Sequence, residues 1–260
     1  MSDRAGKYYD RDMNAIYELP SADGKKMVKC TLTHARKFGM LFSVSRVLEE
    51  LANHQIVQWS KEQVARAAVE YPYDRASKSE DDIKAYVGLL LAKGDEFKNQ
   101  TADRGTEIHA GVNRWLEGKP VDRSDPAIDL CITQMEERFA EWGPESITTE
   151  FAIGGPKFGC VGTPDIVCNM AGTGPKIIDV KTVDLSKFKT PYDKWFLQLG
   201  AYRWFTGEIP GTEIWQCVID RTSGEVRFIK HDNEERWTEC FKALLDVTCL
   251  LNGYDPRKYT

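Results

Sequence analysis

The sequence of 260 residues lacks any run of about 18 apolar residues, the length a membrane-crossing helix needs. None of its seven cysteines forms a Cys-x-x-Cys pair, which removes the usual spacing of zinc ribbons and dithiol redox sites. The scattered cysteines are therefore expected to be reduced and mostly buried thiols. The N-terminal stretch MSDRAGKYYDRD has no apolar core region, so export is not expected. No internal repeat or low-complexity tract is evident. Positive charge is not in excess either: 35 Lys and Arg stand against 40 Asp and Glu, giving −5. That balance argues against a surface basic all over, the common footprint of nucleic-acid binders. It leaves room for basic residues focused on one face.

What is present is an ordinary globular composition, 42% hydrophobic and 29% charged, able to bury a core. Residues 8–42 have mixed patterning, with Ala22-Asp23-Gly24-Lys25 as a turn. From Ser43 onward Val44, Val47, Leu48 and Leu51 recur at helical spacing, and a second helical run over 55–70 ends at Tyr71-Pro72. Ser79-Glu80-Asp81-Asp82 has capping-box spacing and opens a helix to Lys93. Further helices are predicted over 95–118 and from Ser124-Asp125-Pro126 to Trp142. Then the texture becomes β-like at 148–153, 159–168 and 176–182. A helix starting at Thr190-Pro191 runs to Phe205, strands follow at 213–220 and 225–231, and a helix covers 233–251. This order predicts an α/β fold with a central mixed β-sheet flanked by helices. A mostly helical N-terminal region, 1–94, would pack on a core of 95–260.

An acidic residue two positions before a lysine occurs at Asp23/Lys25, Asp82/Lys84, Glu96/Lys98, Glu117/Lys119 and Asp179/Lys181, so the tripeptide alone means little. Only Ile177-Ile178-Asp179-Val180-Lys181 lies inside a strongly β-like run. In a strand, residues two apart share a face, so Asp179 and Lys181 project together while Ile178 and Val180 point the other way. Upstream, Gly162-Thr163-Pro164-Asp165 places a second carboxylate on a neighbouring strand, joined by the glycine-rich connection 169–175. Two carboxylates about 4 Å apart repel by roughly 4 kcal/mol at an effective dielectric near 20. Such a pair calls for a cation or a proton, and Mg²⁺ or Mn²⁺ suits oxygen donors. Gln198 and Tyr202 sit four apart on the next helix and share a face that could hydrogen-bond a phosphate or sugar.

Asp165, Asp179-Val-Lys181 and Gln198-Leu-Gly-Ala-Tyr202 together resemble the PD-(D/E)XK nucleases of the RecB and lambda-exonuclease branch. Gly105-Thr-Glu-Ile-His109 resembles that branch's helix with a metal-binding histidine. Glu150 matches the acidic residue ahead of its GxxD strand. The segment from Leu41 to Leu48, followed by Trp59, is similar to the N-terminal part of phage-type and mitochondrial genome-maintenance exonucleases. The resemblance covers about 41–205 and implies a restriction-endonuclease-like core. His109, Asp165, Asp179 and the Val180 backbone carbonyl would then ligate Mg²⁺ or Mn²⁺. Lys181 would orient or deprotonate the attacking water, Glu150 would assist, and Gln198 and Tyr202 would steady the nucleic acid.

The implied activity is metal-dependent DNA hydrolysis from single-stranded or duplex ends in recombination, repair or replication. Implied partners are DNA and a recombination or replication protein, in the cytoplasm of a bacterium or phage-infected cell, with no membrane association. The alternatives are a non-catalytic DNA-binding or assembly protein on the same scaffold, and an endonuclease of the same superfamily. Some residues have plainer readings. His109 shares a face with Gly105, Val112 and Leu116 and suits a core histidine, Gln198 a surface amide, and Tyr202 a core tyrosine. Trp195, Trp204 and Trp215 suit core packing more than base stacking.

Iron–sulfur relatives carry an early cysteine and a close cysteine trio near the C-terminus. Here Cys240 and Cys249 are separated by eight intervening residues and Cys217 is distant, so no iron–sulfur cluster is expected. The purified protein should be colourless, and a brown preparation containing stoichiometric iron would contradict this reading.

Overall fold

The computed structural model describes residues 8–21, 23–51, 54–72, 79–172, 174–207 and 209–259. Ala22 of the expected first turn and Thr173 of the expected hairpin connection lie outside them. In chain order the elements are β1 Tyr8–Tyr9, β2 Ala15–Ile16, β3 Glu18–Pro20, β4 Met27–Lys29, α1 Leu32–Phe38, β5 Leu41–Ser43 and α2 Val44–Leu48. There follow α3 His54–Glu70, α4 Glu80–Leu116, α5 Pro126–Trp142, β6 Ser146–Thr149, β7 Ile153–Gly155, β8 Cys160–Gly162 and β9 Ile166–Asn169. The chain continues as β10 Lys176–Val183, α6 Asp193–Phe205, β11 Glu213–Asp220, β12 Val226–His231 and α7 Glu234–Asn252. The fold is α/β, with mixed sheets flanked by helices. Among the described residues no helix is long and apolar enough to cross a membrane.

The chain divides into two compact units, Met1–Leu51 with Gly111–Thr260, and Ala52–Ala110. This differs from a boundary at 94/95, and the reason lies in the first 43 residues. They supply strands β1 and β5, which pair with each other, and β5 continues onto β8 far along the chain. The segment expected to be mostly helical thus contributes to a sheet. The strands are only two or three residues long, too short for a period-two pattern to register.

The larger unit holds two five-stranded sheets where one was expected, in the orders β2-β1-β5-β8-β7 and β12-β11-β10-β9-β6. In the second, β10 runs parallel to β11 and antiparallel to β9. Both faces of β10 are covered, which is why Ile177, Ile178 and Val180 are all buried. One face meets α5, where Cys217 Sγ lies 3.7 Å from Met135 Sδ. On that same face Trp215 packs at 5.2 Å against Trp142. The other face packs Ile177 and Ile214 with Leu197 and Ala201 of α6 in the main core. Trp204 is also a packing residue, edge-on to Phe158 at 4.8 Å.

Several helix ends follow the local signals. Asp125 accepts from the Ala127 and Ile128 amides, Pro126 occupies the first turn, and Gly143 closes α5 in the left-handed conformation. In the smaller unit, Asp82 N–H donates to Ser79 Oγ as the capping-box spacing predicts. The helices expected at 79–93 and 95–118 are one continuous helix, α4, since nothing between Lys93 and Asp95 breaks it except the tolerated Gly94. Gly94 lies against α3, where a Cβ would stand 2.9 Å from Val64 Cγ2.

Helix α6 is held close to α7 by Gly200, where a Cβ would come within 2.6 Å of the Trp237 backbone carbonyl. Gly200→Ala should force the helices apart and lower unfolding stability by about 2 kcal/mol. Urea denaturation checks this, and an unchanged midpoint would show that the contact is not the constraint described.

Candidate active site

The register of β9 against β10 decides the site. Cys168, Val167 and Ile166 face Lys176, Ile177 and Ile178 in order. One further step puts Asp165, at the turn just before β9, opposite Asp179. Directly opposed residues on antiparallel strands share a face with Cβ atoms about 5 Å apart. Asp165 was expected inside a strand, but its position just outside frees its carboxylate to fold back, and Asp165 Oδ2 accepts from the Val180 amide at 2.6 Å.

Lys181 projects from the same face, its ammonium 2.7 Å from Asp179 Oδ2. The lysine side chain keeps 26% of its surface exposed while that of Asp179 keeps 2%, so the amine stands between buried acid and solvent. Gln216, paired with Asp179 across the parallel β10/β11 ladder, donates its amide to Asp179 Oδ2 at 2.7 Å. The three side chains singled out in the sequence are therefore brought together, and a fourth, Gln216, joins them.

These contacts set the protonation pattern. Burial first, then the charge on Asp179, raises the pKa of Asp165 to about 7, against the opposing pull of Lys181 and the Val180 amide. Burial works against a charged Lys181, but Asp179 and Asp165 outweigh it and raise its pKa. Lys181 thus stays cationic.

Beside the acids opens a cleft of about 530 Å³, whose walls include Tyr9, Ser43, Glu150, Thr163, Asp165, Gln198 and Tyr202. Gln198 donates to the Tyr202 hydroxyl at 2.9 Å, and that hydroxyl donates to the Thr163 carbonyl at 3.1 Å. Burial, then the Asp179 charge, pushes the Tyr202 pKa well up, so the phenol remains a donor. The ring itself is buried, 3% exposed. The pair expected to hold nucleic acid is thus bonded together and to the chain leading into Asp165. Gly162 permits this, since any Cβ there would collide with Tyr202 Cε1.

Glu150 interrupts the strand expected over 148–153. It takes φ +45°, a left-handed conformation rare for a side-chain-bearing residue. Its amide donates to the Asp165 carbonyl at 3.3 Å, and its carboxylate accepts from Asn113 Nδ2. His109 lies on α4, within the smaller unit.

The donor set can be tested against a divalent cation. Asp165 and Asp179 each commit Oδ2 to internal donors, and among the described residues neither Oδ1 accepts a hydrogen bond. No group of three or more His, Cys, Asp and Glu able to hold a metal is found among the described residues. Two carboxylates suit Mg²⁺, which keeps several waters and usually takes one or two protein carboxylates. They do not make an all-protein cage of the kind a structural metal needs.

Gln216 carried a signal that the sequence reading passed over. It is the one amide in the apolar run Ile214–Ile219, fully buried itself, and a polar group so placed needs a partner. The six buried cysteines form no disulfide, as expected, and burial raises the Cys131 and Cys168 thiols to about 12.

No family model matches the chain, and no curated protein matches it. Among solved structures it is similar to a "putative exonuclease" from Eubacterium rectale, with 14% identity and a TM-score of 0.41 over 58% of this chain and 68% of that one. It is also similar to the protein SSO0001, with 13% identity and a TM-score of 0.33 over 80% and 84%. Likenesses this distant carry no argument about the chemistry.

His231 packs on Phe196 of α6 at 4.1 Å and is 2% exposed. Its Nε2 is buried without a hydrogen-bond partner. Burial lowers its pKa to about 4, against the raising charges of Asp179 and Asp232. The stability this neutral ring allows is intact above pH ~6.5 and is lost as pH falls toward ~4, by about 3 kcal/mol. Urea titrations between those pH values should show this slope in the wild type and not in His231→Gln; equal slopes would remove His231 as its source.

Proposed function

We propose that the chain is a metal-dependent nuclease that hydrolyses phosphodiester bonds in DNA. The observation that supports it is the Asp165–Asp179 pair, opposed across adjacent strands with the Lys181 ammonium beside it. Asp165 and Asp179 would hold Mg²⁺ or Mn²⁺ through their uncommitted oxygens, with the Val180 carbonyl as a further donor. When bound, the ion acidifies water and offsets negative charge on the phosphoryl oxygens.

The remaining steps belong to side chains. Lys181, kept cationic by its two acids, orients the attacking water and neutralises charge that builds on the phosphate. It serves as a hydrogen-bond donor, because its raised pKa makes the free amine a scarce base near neutrality. Gln216 and the Val180 amide fix the two carboxylates. The Gln198–Tyr202–Thr163 chain of hydrogen bonds makes a firm wall for the nucleic acid. Glu150, exposed at the cleft mouth, adds a carboxylate on the side from which water arrives. A preference for DNA ends, and a role in recombination, repair or replication, are taken from the resemblance of 41–205 to end-dependent exonucleases.

Linear DNA should be degraded with Mg²⁺ or Mn²⁺ and spared with EDTA. Asp179→Ala and Lys181→Ala should each cut the rate by roughly a hundredfold or more. Covalently closed circles should survive. Unimpaired cleavage by both variants would contradict the mechanism, nicked circles would make the enzyme an endonuclease, and binding without turnover under any divalent ion would leave a non-catalytic scaffold.

A further inference from the structure

The segment that joins β10 to α6 carries three aromatic rings that the hydrolytic site does not use. Phe188 stacks on Trp195 at 5.9 Å with the planes 19° apart, and Tyr192 meets Trp195 edge-on at 4.6 Å. None of the three is buried, and Tyr192 is 40% exposed. Trp204 and Trp215, by contrast, are spent on packing against neighbouring rings. Three large rings clustered at the surface of a short segment invite a flat ligand.

Their charged surroundings indicate which one. Lys187, Lys189 and Lys194 lie among the rings, against Asp184 and Asp193. Lys187 is paired with Asp184 at 3.2 Å. Among the described residues Lys189 and Lys194 are in no ion pair, so two ammonium groups are left on the segment that carries the rings.

Their position ties the cluster to the cleft. Trp195, Gln198 and Tyr202 fall at i, i+3 and i+7 on α6, which places them along one side of the helix. Gln198 and Tyr202 line the cleft beside Asp165. Trp195 extends that line toward the helix start by on the order of 10 Å.

We propose that Phe188, Tyr192 and Trp195, with Lys189 and Lys194, form a stacking platform for the unpaired bases of single-stranded DNA leading into the cleft. Unpaired bases expose a π-face to such rings, while the cations meet the backbone. A base-paired duplex hides those faces, so the platform selects single strands. The proposal rests on the nuclease reading only in naming where the strand leads.

The test measures binding by fluorescence anisotropy of labelled oligothymidylate and of a blunt duplex of equal length, in EDTA, so that nothing is cut. Phe188→Ala and Trp195→Ala should each weaken single-strand binding about tenfold. Trp195→Phe should retain most of it, and Lys189→Glu should weaken it and flatten its salt dependence. Melting temperatures identify any variant that is simply unfolded, and Phe188→Ala and Lys189→Glu carry the test if Trp195→Ala is one. Wild-type protein that fails to bind oligothymidylate, ring variants that bind it normally, or an equal loss on duplex would each overturn the platform. Ring-dependent binding without Mg²⁺-dependent cleavage in the parallel digestion would keep the platform and remove the nuclease reading. Normal cleavage with ring-independent binding would do the reverse.

Discussion

Two carboxylates opposed across one step of an antiparallel ladder, on the face that a helix covers, are the constraint around which the larger unit is organised. Asp179 is buried there, so repulsion between the acids is worth kilocalories per mole rather than tenths. The protein meets it with a lysine ammonium, a backbone amide and a buried glutamine amide, each aimed at one carboxylate oxygen. Even so, Asp165 binds its proton up to about pH 7. Among the described residues the Oδ1 atom of each acid accepts no hydrogen bond.

The surrounding architecture serves to hold that geometry. Burial of β10 on both faces locks its register, because a one-residue slip would move Asp179 and Lys181 to the α5 side. The helix on the site's own face approaches closely enough for Tyr202 to reach the Thr163 carbonyl, and Gly162 leaves the room. Strands β1 and β5, from the start of the chain, close the other wall of the cleft through Tyr9 and Ser43. The left-handed Glu150 turns the chain out of β6 at the cleft mouth. Conformational strain at that residue, of order 1–3 kcal/mol, persists because the Asp165 carbonyl and Asn113 fix it on both sides.

The acidic core of the site was legible in sequence because it rests on the simplest periodicity. Two residues apart in a long, β-branched strand means one face, and Asp179 and Lys181 obey it. The long helices were legible for the same reason, through caps at Asp125 and Ser79. What escaped depends on partners distant in the chain. Strands of two or three residues gain their identity from pairing, so β1 and β5 could not be seen before β8 was known. Asp165 looked like a strand residue, because nothing in Gly162-Thr163-Pro164-Asp165 says that the chain changes sheets there. Gln198 and Tyr202 were rightly placed on one helical face, yet their hydrogen bonds run to each other and to Thr163, a partner no local pattern reveals.

Thermal unfolding with and without a divalent ion addresses the acid pair most directly, without reference to any substrate. Ca²⁺, Mg²⁺ or Mn²⁺ should raise the wild-type melting temperature near pH 8. Asp165→Asn, which relieves the repulsion, should melt higher than the ion-free wild type and gain nothing from the ion. If the ions stabilise both proteins equally, or neither, the two aspartates are not a cation site.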